Sequence, residues 1–145
     1  MFSNNLNTAM NYTNVGMTSG AMSASPHGLV LMLFEGAMLA VSAARMHMQM
    51  GRMPDKAQAI SKAVAIIQDG LMASLDRASG GEIAENLFSL YQYMVGRLIK
   101  ANVENRTDLI EEVGRLLAEL NSAWQEIGIH NRAQPGAAEN AGRQA

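Results

Sequence analysis

The chain of 145 residues has no cysteine, which excludes disulfides, thiolate metal sites, cysteine nucleophiles and covalent haem attachment. It has only three prolines, which leaves room for long uninterrupted helices. Aromatic residues make up 5% against 48% hydrophobic residues overall, so aliphatic side chains and methionine must fill the core. Charge is sparse, with a formal net charge of −2 and no Asp, Glu, Lys or Arg before Glu35. A protein built to neutralise a phosphate backbone needs clustered Lys and Arg, so nucleic acid is not an expected partner. The uncharged start lacks the basic flank of a secretory signal. The longest apolar run, Leu29 to Phe34, falls far short of the roughly 20 residues of a membrane-spanning helix. A soluble single domain without membrane insertion is expected.

The patterning that is present is helical. Residues 1–24 are rich in Asn, Ser and Thr without a sustained period and read as a mobile N-terminal arm. Ser25 before Pro26 is a helix start, because a Ser oxygen accepts an orphan backbone N–H and Pro suits the first helical position. Helices are expected at about 25–50, 54–79, 82–105 and 107–127. In the second, Ala57, Ile60, Val64, Ile67, Leu71 and Leu75 form a stripe opposite Asp55, Gln58, Lys62 and Asp69. The third carries Ile83, Leu87, Leu90, Tyr91, Met94 and Leu98, with acids at its start and Arg97 and Lys100 toward its end. The fourth, capped by Thr107 and Asp108, buries Leu109, Ile110, Val113, Leu116, Leu117, Leu120, Trp124 and Ile127. Residues 129–145 read as a disordered C-terminal tail. The expectation is all-α: an antiparallel four-helix bundle over residues 25–128 with short connections.

Catalytic chemistry is hard to place on this chain. A di-iron bundle needs Glu-x-x-His pairs, and none occurs. His27, His47 and His130 sit near or beyond expected helix ends, so no metal site is expected. The serines form no nucleophile elbow, and Gly80-Gly81 lacks the Gly-Lys-Ser/Thr of a phosphate loop. Neither an enzyme nor a cofactor is expected.

The unusual feature is the first helix. Beside an ordinary core set (Leu29, Leu33, Ala37, Ala40, Ala44), a second apolar row runs through Met32, Leu39, Met46 and Met53 at seven-residue spacing. Ten of the twelve methionines lie in the first 53 positions. Flexible thioethers suit grooves that receive helices. Two readings stand level: a surplus face that takes a partner, or a helix buried on all sides.

Four segments in order then resemble one family. They are SASPHGLVLMLFEGAM (23–38), SKAVAIIQDGLMASLD (61–76), NLFSLYQYMVGRLIKAN (86–102) and EEVGRLLAELNSAWQEI (111–127). Together they are similar to the flagellar secretion chaperones of the FliS family, over nearly all of residues 12–127. The resemblance implies a cytoplasmic bundle that binds the C-terminal segment of flagellin in a hydrophobic groove. It also implies delivery of the complex to the flagellar export gate, and Tyr12 and Val15 as a cover over the empty groove. Joined to the surplus row, it assigns Leu29, Met32, Leu39 and Met46 to the groove, with Tyr91 and Met94; taken singly, Leu29, Tyr91 and Met94 fit the core better. A self-associating structural bundle is the alternative, and a weak homodimer of the empty protein is compatible with either.

Overall fold

The computed structural model describes residues 25–133, with side chains through residue 128. Its four helices are α1 (Pro26–Gln49), α2 (Met53–Ala65, continued by a wide π-turn at Ile66–Met72), α3 (Gly81–Glu104) and α4 (Thr107–Ala133). The expected arm and the end of the expected tail lie outside the described residues.

Local chemistry explains most boundaries. Ser25 has extended backbone angles, and its hydroxyl oxygen accepts the Gly28 N–H at 2.9 Å. Behind α1, Gly51 has φ +72°, and the turn closes through Arg52 N–H donating to His47 O at 2.9 Å. At the end of α3, Asn105 takes left-handed angles (φ 53°) and Arg106 N–H donates to Ala101 O at 3.1 Å.

Named contacts fix the antiparallel order. Leu33 and Gly36 on α1 meet Gly70 and Ile66 on α2. On the other flank of α1, Val41 meets Gly114, Arg45 pairs with Glu111, and Met48 meets Thr107, so α4 runs antiparallel beside it. Arg97 of α3 bonds Glu112 of α4 at 2.8 Å, and Lys56 of α2 reaches Asn102 and Asn105 at the end of α3. The helices therefore close in the order α1, α2, α3, α4 around a core led by Ile66, Ile67, Leu71, Met94, Leu98, Leu109, Ile110, Val113 and Leu117. The architecture is all-α, an antiparallel four-helix bundle.

Several expectations need correction. The second helix stops at Met72 instead of residue 79. Beyond it the Ser74 hydroxyl donates to Leu71 O, and Asp76 accepts from the Ser79 N–H, so Ser and Asp side chains compete with the helical ladder. The fourth helix continues through Gly128 to Ala133. Gly128 lies within the helix, at a place where a Cβ would meet the His27 ring. Ile83 and Ile127, read as buried stripe members, are exposed. Thr107 is the first helical residue, and its hydroxyl donates to Met48 Sδ at 3.4 Å. The last turn of α3 holds no basic residue of its own. Lys56 supplies the charge instead: it is buried, 5% exposed, and its Nζ donates to Asn102 O at 2.9 Å and Asn105 Oδ1 at 2.7 Å.

Candidate functional site

The buried face of α1 mixes large and small residues: Leu31, Leu33, Phe34, Val41 and Met48 are buried beside three alanines. Ala37, Ala40 and Ala44 are buried, and α2 and α4 press close on either flank. With these residues the core side of α1 is filled, and further large apolar side chains on the helix point elsewhere. Seven residues turn a helix through almost two full revolutions, so Met32, Leu39 and Met46 line up in one row opposite the core. The row spans about 21 Å at 1.5 Å per residue. Met32 is half-buried, Leu39 is 72% exposed and Met46 47%; Met50 (56%) and Met53 (37%) extend the surface around the turn. By length and composition α1 could cross a membrane, which the short run Leu29 to Phe34 did not suggest, yet its Ala-rich face is packed inside the bundle.

Two grooves flank this helix or its neighbour. One, of ≈ 490 Å³, lies between α1 and α4 beside the row and is lined by Met38, Val41, Ile110, Gly114 and Ala118, with Arg45, Glu111 and Arg115 at its edge. The second, of ≈ 270 Å³, lies between α2 and α3, where Ile60 and Val64 face Ile99 and Val103. Ile99 is 52% and Val103 77% exposed. The polar groups nearby hold helices together. Glu112 accepts from Tyr93 Oη at 2.6 Å and from Arg97 Nε at 2.8 Å, and these two bonds, Tyr93 first, hold its pKa below the usual carboxylate value. Among the described residues no three His, Cys, Asp or Glu side chains cluster as metal ligands.

Of the residues assigned to the groove from sequence, Leu39 and Met46 are on the surface, and Leu29 and Met32 are half-buried. Tyr91 and Met94 must be withdrawn: they are 3% and 0% exposed, on the side of α3 that faces the bundle axis. Burial raises the Tyr91 phenol to about 12. Tyr12 and Val15 lie outside the described residues. Sequence reasoning missed Ile99 and Val103. Their signal was available, since they stand four apart on α3 and off the stripe that accounts for its core.

Residues 8–131 match the model of the flagellar protein FliS family. The chain belongs to the FliS family. A flagellar secretion chaperone FliS of Salmonella typhimurium is 48% identical over 116 residues, covering 80% of this chain and 86% of that protein. The flagellar secretion chaperone FliSB of Pseudomonas aeruginosa is 40% identical over 80% of this chain and 91% of its own length. FliS of Bacillus subtilis is 31% identical over 71% and 75%. FliS is a family of chaperones and not of enzymes.

Proposed function

We propose that this chain is a cytoplasmic export chaperone that holds the C-terminal segment of flagellin, keeps it from polymerising prematurely and hands it to the flagellar export gate. Membership of the FliS family supports the general role. The observation that carries the binding mode is the exposed row on α1, Leu39 and Met46 with Met50 beyond, in a helix whose inner face is already satisfied. A disordered cargo that folds on binding must offset ordering costs of roughly 2 to 5 kcal/mol or more. Burial of about 400 Å² of apolar surface offers on the order of 10 kcal/mol before costs, at about 25 cal/mol per Å². Wide shallow contact of this kind suits a cargo that has to be released.

The same exposed row also favours a second reading, a self-associating bundle in which two copies cover each other's α1. Size-exclusion chromatography with and without flagellin separates the two. A chaperone forms a one-to-one complex with full-length flagellin, and the complex is lost when about 40 C-terminal residues of flagellin, the length of a long helix-in-groove ligand, are removed. Retained binding to the truncated flagellin rules out the assignment. A homodimer that flagellin does not dissociate favours the structural bundle.

A further inference from the structure

With no cysteine in the chain, all of its sulfur is thioether, in twelve methionines. The described ones fall into distinct classes. Met48 and Met94 are in the core, and Met32, Met38 and Met72 are half-buried. Met46, Met50 and Met53 are exposed, and all three lie at one end of the bundle. Met46 lies on the outer side of α1, and Met50 follows four residues later as the residue that caps the helix. Met53 begins α2 just behind the tight turn at Gly51, which Met50 N–H to Met46 O (3.0 Å) and Gly51 N–H to Met48 O (3.2 Å) hold closed. The most exposed methionines of the described chain are therefore concentrated on one edge of the surface assigned to cargo.

We infer that Met46, Met50 and Met53 form a peroxide-sensitive modification site, whose conversion to methionine sulfoxide reversibly switches off cargo binding on the α1 face. The inference rests on the proposed function. The thioether sulfur attacks one oxygen of hydrogen peroxide and the O–O bond breaks. That oxygen stays on sulfur, and the other leaves as water after proton transfer. Sulfur is oxidised by two electrons as peroxide is reduced. The reverse step takes two electrons from a dithiol reductant, through a methionine sulfoxide reductase, giving the thioether, a disulfide and water. A sulfoxide carries a hydrated S–O dipole, so it resists burial under an apolar helix where the thioether welcomes it. Selectivity comes from packing: peroxide reaches the three exposed sulfurs first, while Met48 and Met94 stay shielded and the bundle stays folded.

The test titrates the full-length chain with hydrogen peroxide. It maps sulfoxide by peptide mass spectrometry, follows helical circular dichroism, and measures affinity for a peptide of the flagellin C-terminal segment by calorimetry. Positions 46, 50 and 53 should oxidise before 48 and 94. Affinity should fall at least about tenfold with the dichroism unchanged, the cost of leaving one methionine side chain unburied. Reductase with dithiothreitol should restore it. A Met46→Leu/Met50→Leu/Met53→Leu variant isolates these positions from the methionines before residue 25. It is read as the ratio of its own affinities before and after peroxide, whatever its starting affinity, and that ratio should stay near one. Full sulfoxide occupancy at the three positions with affinity intact overturns the inference, as does a variant that loses as much as the parent. If the untreated chain does not bind the peptide, the cargo assignment itself fails and takes this inference with it. Binding without a peroxide response overturns the inference alone.

Discussion

The imidazole of His27 lies flat against the indole of Trp124, with ring centroids 4.9 Å apart and planes 8° from parallel. Trp124 Nε1–H donates to the His27 carbonyl at 3.2 Å. This pair joins the first turn of α1 to the last part of α4. A Cβ on Gly128 would run into the His27 ring.

Gly128→Ala provides a test of that joint by sign. In an exposed helix the change stabilises by about 1 kcal/mol; here overpacking should destabilise by roughly 1–3 kcal/mol in urea unfolding. Adding His27→Ala should recover part of the loss, because the two substitutions share one contact. Simple additivity of the two changes would contradict the contact.

Lys56 is the second joint. Lys56→Met keeps the aliphatic stem but leaves the Asn102 carbonyl and Asn105 Oδ1 without their donor. The expected cost is roughly 1–3 kcal/mol by denaturant unfolding. Asn105→Gly suits φ 53° but removes the Oδ1 acceptor of Lys56, so it should cost roughly 1–3 kcal/mol, and Asn105→Val should cost about 1–2 kcal/mol more through left-handed strain.

The buried Tyr91 makes stability depend on alkaline pH. Its phenol rises from the ordinary 10 to about 12 through desolvation, so between those values the unfolded chain has lost a proton that the folded one keeps. The contribution is complete below pH 10 and disappears as pH climbs through 12. Melting temperatures recorded from pH 9 to 12 should fall across this window, and Tyr91→Phe should flatten the fall. A smaller slope should survive, because the hydrogen bond from Tyr93 to Glu112 also raises the Tyr93 phenol.

Groove and core can be told apart by one charge. Leu39→Glu should weaken binding of the flagellin segment at least about tenfold, since a buried Leu is worth about 1.5–3 kcal/mol, and should leave the melting temperature nearly unchanged. Met94→Glu places a carboxyl at a position with no exposure and should cost more than about 4 kcal/mol, seen as loss of cooperative unfolding.

The helices and their faces were largely readable in advance because apolar spacing reports on the core directly. Ser25, Pro26 and Gly51 mark the ends of α1 by the chemistry of orphan backbone groups. Tyr91 and Met94 were misassigned as groove because sequence shows that a helix has an apolar side and not which neighbour takes it. The surplus row on α1 was visible as Met32, Leu39 and Met46, but its exposure depends on which sides of α1 the neighbouring helices cover, a property of how the helices pack together. The donor for the end of α3 was hidden for a similar reason: Lys56 lies 46 residues away from Asn102 along the chain.

The connections divide the molecule into two hairpins, α1 with α2 and α3 with α4, strapped together by residues 73–80. The long flank of α1 rests on α4 of the other hairpin, where Val41 meets Gly114 and Arg45 pairs with Glu111. The first hairpin by itself therefore leaves that flank of α1 without its cover. The two hairpins are thus unequal to the task alone, and each closes its core only against the other.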